Sequence, residues 1–406
     1  MTHIRKKNHS NTHFFEFVLL MASMMSMVAL SIDAMLPALA TIGQDLRVEN
    51  ANHTQLIITL IFLGMAIGTI VSGPLADRFG RKPIITFGFG LFIISCILSY
   101  FAQDFEQMLI ARFLQGVGVA SPRILATTLI RDKFEGRIMA KVMSLVMTIF
   151  ILVPILAPFF GQFIINIATW REIFLAFIII ALTVCVWFLT RQVETLNPKD
   201  RQSLSLRQIL TNAKTIFSHK TTVTYTVASG LITGVFISFL STSQQIFQQI
   251  YLVGDDFVYY FATLAASVGM ASLTNSRIVM KYGIRRISIT SMLTTTVISS
   301  GFILYCYKAQ GVPALWILMA YLSITLYCIG LLFGNLNAQA MQPLGHLAGI
   351  GSSFVGAAGT IIALPIAIIS GQLFSHTLTP LVSIILSCNA LALVLLLMNQ
   401  HGSNKL

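Results

Sequence analysis

Residues Gly73-Pro-Leu-Ala-Asp-Arg-Phe-Gly-Arg-Lys82 place glycines, one aspartate and three basic side chains in ten positions between two long apolar runs. Gly73 permits close approach of a helix, Asp77 is suited to cap a facing helix end, and Arg78, Arg81 and Lys82 hold the stretch in a headgroup region. The flanking runs are about twenty residues each, enough to cross a hydrocarbon core of about 30 Å as helices. Runs of this kind recur along the chain, and twelve are expected as membrane spans. They cover about 14–41, 54–76, 83–102, 106–130, 138–166, 169–190, 221–250, 257–280, 287–307, 313–335, 348–372 and 377–398.

Composition agrees with that reading. Of 406 residues, 56% are apolar and only 10% charged, which leaves more apolar surface than water tolerates and puts the chain in lipid. The first run has no short apolar core followed by a small-residue cleavage site, so it is expected to stay in the mature protein. Positive loops are retained on the cytoplasmic side of a membrane. With both termini cytoplasmic, cytoplasmic segments hold 21 Lys and Arg, whereas external loops hold only Arg47, Arg171 and Lys308. Topology and attraction to anionic lipid thus account for the net charge of +12, and nucleic-acid binding is excluded. Cys96, Cys185, Cys306, Cys328 and Cys388 all fall inside apolar runs without metal-ligand spacing, and read as small core residues.

One long polar connection, 191–220, carries six basic residues against two acidic ones and divides the spans six and six. The expected organisation is an all-α integral membrane protein: a first six-helix bundle at 1–190, a cytoplasmic linker at 191–220 and a second bundle at 221–406. Two such halves facing each other across a midplane cavity are a recurring transporter architecture. The halves also echo each other, since Asn275-Ser-Arg-Ile-Val-Met-Lys-Tyr-Gly-Ile-Arg-Arg286 follows span 8 as the opening stretch follows span 2.

The opening stretch, with Gly73, Asp77, Arg78, Gly80 and Arg81, resembles the loop signature of the major facilitator superfamily. Further stretches resemble its Bcr/CflA branch of drug:proton antiporters: Asp33-Ala-Met-Leu-Pro-Ala38, Arg112-Phe-Leu-Gln-Gly-Val-Gly118, Pro154-Ile-Leu-Ala-Pro-Phe-Phe-Gly161, Trp170-Arg-Glu-Ile-Phe174 and Ala348-Gly-Ile-Gly-Ser-Ser-Phe-Val-Gly356. The chain departs from the branch at Met35, Thr127 and Gln162, where Tyr, Arg and Gly are usual. Pro154, Pro158 and Gly161 resemble the antiporter motif of exporters. The resemblance implies a monomeric secondary transporter of a bacterial inner membrane that exports drug-like solutes against protons, with coupling assigned to the carboxylate of its first motif.

The residues argue in the same direction. Asp33 is the one acid well inside an apolar run, and a carboxylate there must be paired, hydrated or protonated. At about 1.5 Å per residue, Asp33 in span 1 and Arg112 in span 4 lie at similar depth, so they are expected to face each other as the proton-coupling pair. The rival reading is a static ion pair joining two helices. Arg123 follows Arg112 by about three helical turns and shares its face, which gives the cavity a positive field favouring anionic or neutral solutes. Its rival reading is a side chain that snorkels to the interface or bonds carbonyls freed near Pro122. Gln244, Gln245 and Asn335 are expected to contact solute from the second half or to join helices, and Asn275 to be structural. No phosphate loop or catalytic set is present in the sequence, so the expected energy source is a gradient, with no cofactor and no metal. The remaining alternatives are export of an endogenous anion such as a siderophore, and a proton-coupled importer or uniporter.

Overall fold

In hydrocarbon every backbone N–H and C=O must be bonded within its own segment, so each apolar run folds as a helix. The computed structural model describes residues 2–201 and 206–399, and gives the backbone alone for 2–13, 200, 206–209 and 346–349. Twelve helices among the described residues are long and apolar enough to cross a membrane. They are span 1 (Phe14–Asp45), span 2 (Ala51–Phe79), span 3 (Arg81–Tyr100), span 4 (Phe105–Lys133), span 5 (Gly136–Ile167) and span 6 (Arg171–Arg191), then span 7 (Lys220–Ile250), span 8 (Gly254–Tyr282), span 9 (Ile284–Lys308), span 10 (Leu315–Gly345), span 11 (Ile350–Gln372) and span 12 (Thr379–Met398).

Packing repeats with an offset of six. Span 1 packs on 5, 2 on 4 and 3 on 6; span 7 packs on 11, 8 on 10 and 9 on 12. The two six-helix bundles then meet through span 2 against span 11 and span 5 against span 8. Lipid offers no hydrophobic drive between helices, so close approach depends on small residues. A Cβ on Gly64 would lie 2.0 Å from the Phe113 carbonyl oxygen, and one on Gly116 would lie 2.1 Å from that of Ile61, so spans 2 and 4 touch backbone to backbone. Gly330 does the same work between spans 10 and 8, where a Cβ would meet Ala271 Cβ at 2.7 Å.

The segment between the bundles is not merely a tether. It contains a helix, Leu206–Ser218, whose Ile216 is fully buried and which packs on spans 7 and 11. The spacing of Ile209, Ala213, Ile216 and Phe217 carries that helical period and was there to be read.

Helix alternation sorts the connections into two ends. The signature end holds Gly80, Gly283, the 192–219 segment and the turn at Gln342–Leu347; the opposite end holds the connections around 46–55, 251–256 and 373–378.

Candidate functional site

Span 1 breaks at Asp33. The regular helix ends at Asp33, the next turn tightens as Met35 N–H donates to the Ile32 carbonyl at 3.2 Å, and Pro37 has no N–H to offer the Asp33 carbonyl. The Ser31 carbonyl, passed over by Met35, is therefore free for another donor. Arg112 supplies it: its Nη2 donates to Ser31 O at 2.9 Å, its Nε to Ile57 O at 3.1 Å and its Nη1 to Gln115 Oε1 at 2.6 Å. Phe174 lies 6.0 Å from the guanidinium carbon, and Gln115 is held in turn as its Nε2 donates to Cys96 Sγ at 3.0 Å.

The expected Asp33–Arg112 ion pair is therefore not formed. The ion pairs among the described residues are Asp77–Arg81, Asp132–Arg81, Asp45–Arg171 and Glu16–Arg191. Arg112 is wholly buried and spends its donors on carbonyls that bind spans 1, 2 and 4 together. Asp33, only 5% exposed, makes no hydrogen bond or ion pair among the described residues. Directly beside it, span 5 presses on the break: a Cβ on Gly161 would lie 1.9 Å from the Ala34 carbonyl oxygen. Gly161 thus brings span 5, with Pro154 and Pro158 inside it, against the residue that follows Asp33.

Arg123 differs from Arg112. It is half-buried in span 4 and has no hydrogen-bond or ion-pair partner among the described residues, carbonyls near Pro122 included. It lies eight residues, about 12 Å, before Arg131 at the signature end, too deep for its guanidinium to sit with that group.

Gln245 is 1% exposed and belongs to a seal across the halves at the opposite end. Gln55 Nε2 donates to Gln245 Oε1 in a short contact and to Gly371 O at 3.4 Å. Gln245 Nε2 donates to Ala51 O and Asn52 Oδ1, each at 3.3 Å, and Asn52 Nδ2 donates to Phe374 O at 2.9 Å. Gln244 Nε2 donates to Gln248 Oε1 at 2.8 Å, and Asn335 exchanges two hydrogen bonds with Asn275 at 2.9 and 3.1 Å. In this conformation Gln245 joins the two halves and Asn335 joins spans 10 and 8, the alternative expected of them, while Gln244 bonds within its own helix. Gln162 adds to the same seal by donating to Asp255 at 3.1 Å.

At the signature end, Asp77 pairs with Arg81. Its expected role as a cap concerns the start of the facing helix, where the side chains of 346–349 lie outside the described residues. Gly73 faces span 11, where a Cβ would meet Ser353 Oγ at 3.9 Å, an ordinary contact. Arg78 lies over the Phe79 ring at 5.0 Å. The start of span 3 is capped from afar: Glu194 accepts the N–H groups of Arg81 at 2.9 Å and Lys82 at 3.0 Å, two of the donors every helix start leaves unpaired. Lys82 Nζ returns the favour at the end of span 6, donating to the Leu189 and Gln192 carbonyls at 2.8 Å each. Burial pushes the Glu194 carboxyl up, but the N–H groups of Leu196, Arg81, Lys82 and Thr195 outweigh it and hold the group below the ordinary glutamate range. Sequence reading missed Glu194. Its one signal is an acid three residues past a span in an otherwise basic connection.

A broken helix with a lone carboxylate, a proline-rich helix pressed on the break, and two bundles sealed at one end are the parts of a two-bundle membrane transporter. The Major Facilitator Superfamily model matches residues 18–367, and the chain belongs to that family. It is 28% identical over 382 residues to the multidrug resistance protein MdtL of Citrobacter koseri, covering 92% of this chain and 93% of that one. It is 27% identical over 272 residues to the bicyclomycin resistance protein homolog of Haemophilus influenzae, covering 66% and 68%. Its fold matches the xylose transporter XylE of E. coli in a partially occluded inward-open conformation, with a TM-score of 0.72 at 16% identity over 94% of this chain and 97% of that one.

Proposed function

We propose that this chain exports small amphipathic, drug-like solutes across a bacterial inner membrane in exchange for protons. The observation that carries the reading is Asp33, a membrane-buried carboxylate with no protein partner among the described residues, set at a helix break that span 5 touches. A carboxylate so placed exchanges a proton for a solute contact, and both change how span 1 sits against span 5. The names of the relatives support solutes of the drug class, and the excess of basic residues at the signature end supports a cytoplasmic location for it and for both termini. In that orientation the sealed end is external and the solute site opens inward, ready to load. The halves 1–190 and 221–406 rock about this site in a single chain acting as a monomer.

Arg123 supports a solute with an acidic or strongly accepting group, since its guanidinium has no acceptor among the described residues. Arg112 serves the cycle by holding the broken helix.

The test uses inside-out vesicles acidified by respiration, with a pH-sensitive dye reporting proton leak as anionic, neutral and cationic compounds are added. Alkalinisation triggered by a compound and absent in Asp33→Asn is the expected result. Solute movement with the same pH dependence in Asp33→Asn would remove Asp33 from the coupling role. Uptake down the proton gradient would reverse the direction.

A further inference from the structure

Aligned on Gly80 and Gly283, the turns that follow spans 2 and 8 match position for position. Lys281 stands for Arg78, Tyr282 for Phe79 and Arg285 for Lys82, and Lys281 lies over the Tyr282 ring at 5.2 Å as Arg78 lies over that of Phe79. The carboxylate does not carry over: Met280, 91% exposed, takes the place of Asp77. No acid replaces it from elsewhere in the second bundle. The sequence holds no Asp or Glu after Asp256, and Asp255 and Asp256 lie at the opposite end.

The two turns therefore differ in how their charge is met. In the first, Asp77 and Asp132 face Arg81, and Glu194 accepts the N–H groups of Arg81 and Lys82. In the second, Arg277, Lys281, Arg285 and Arg286 form no ion pair and donate no side-chain hydrogen bond among the described residues. These cations also stand where lipid-facing stripes reach the headgroups. On span 9, Leu304, Val297 and Leu293 are exposed along one face, and Arg286 continues that face about two turns before Leu293. On span 8, exposed Met270 is followed on its face by Arg277 after about two turns and by Lys281 after one more. Tyr282, the amphipathic ring type that sits at membrane interfaces, marks the level. Water or an acidic protein segment would meet the charges and leave Met280 and the stripes uncovered. A phospholipid meets both.

We propose that the turn between spans 8 and 9 binds an anionic phospholipid, its phosphate among Arg277, Lys281, Arg285 and Arg286 and its chains along the exposed stripes of the two helices. The headgroup supplies in the second bundle the negative charge that Asp77, Asp132 and Glu194 supply in the first. The site needs neither solute nor gradient, so it stands apart from the export reading.

The test places purified full-length protein in phosphatidylcholine nanodiscs with a trace of photoactivatable phosphatidylglycerol or phosphatidylcholine, the reactive group at the glycerol end of one chain, and maps label by mass spectrometry. Phosphatidylglycerol is expected to label 277–286 at least about fivefold more than phosphatidylcholine does, the effect of one basic side chain near an anionic surface, with a preference of about twofold or less at 73–82. Arg277→Gln with Lys281→Gln, or Arg285→Gln with Arg286→Gln, should bring the preference at the second turn down to that of the first. Should either pair fail to fold, the comparison of the two turns in the wild type decides alone. Equal labelling of 277–286 by the two lipids would overturn the proposal and leave the cations to water. An equal preference at both turns would overturn it in favour of the general positive charge of that face, and a preference unchanged in both folded variants would remove these side chains from the site.

Discussion

The two signature loops occupy equivalent places in the two bundles, and each turns on a glycine with positive φ, Gly80 at +107° and Gly283 at +75°. Their surroundings diverge. A Cβ on Gly80 would lie 2.5 Å from Glu194 Oε2, whereas among the described residues nothing lies within 4 Å of one on Gly283. The first loop is clamped: Glu194 caps span 3, Lys82 caps span 6, and Thr195 donates to Asp132 at 2.7 Å, the carboxylate that also faces Arg81 at 3.6 Å. The second loop shows no such arrangement among the described residues. Matching backbone turns therefore do not imply matching stiffness. In the first bundle the stiffness comes from residues beyond its last helix.

The comparison breaks or sharpens under substitution. Gly80→Ala carries both the backbone strain and the collision with the Glu194 carboxylate, and is expected to cost about 3 kcal/mol with loss of transport, read from denaturation midpoints and vesicle assays. Gly283→Ala carries strain in open space and is expected to cost about 1–2 kcal/mol. Equal losses at the two glycines would dissolve the distinction. Glu194→Ala removes a cap and is expected to cost about 1 kcal/mol, with turnover falling while solute affinity holds, because the clamp does not touch the solute. The smallest effect is one of pH. The Glu194 carboxyl is held below its ordinary value in the folded state, so its contribution is complete above the unfolded value of about 4.3 and is lost as pH falls through the folded one. The stability gap between the wild type and Glu194→Gln should accordingly be constant near neutrality and close in strong acid. A gap that widens on acidification would contradict the clamp.

Run length and charge asymmetry made the twelve spans readable, because hydrocarbon thickness sets helix length. The depths of Asp33 and Arg112 were readable too, from helical rise alone. Their pairing was not, because side-chain reasoning overlooks the Ser31 carbonyl that the tightened turn at Met35 leaves free. Gln245 was recognised as a polar residue but not as part of a seal, since that depends on which ends of the two bundles meet. Glu194 escaped for a similar reason: its partners, Arg81 and Lys82, lie more than a hundred residues earlier, and a single acid has no periodicity.

The seal at the opposite end consists chiefly of neutral amides, Gln55, Gln245 and Asn52, meeting carbonyls of Gly371, Ala51 and Phe374. Its core amide contacts neither titrate in the biological range nor weaken under Debye screening. In the proposed orientation that face meets a medium whose acidity and ionic strength the cell does not regulate, while the charged clamp faces the buffered interior. The amide core of the seal is thus indifferent to salt and acid, and the clamp draws on ionic contacts where conditions are steady.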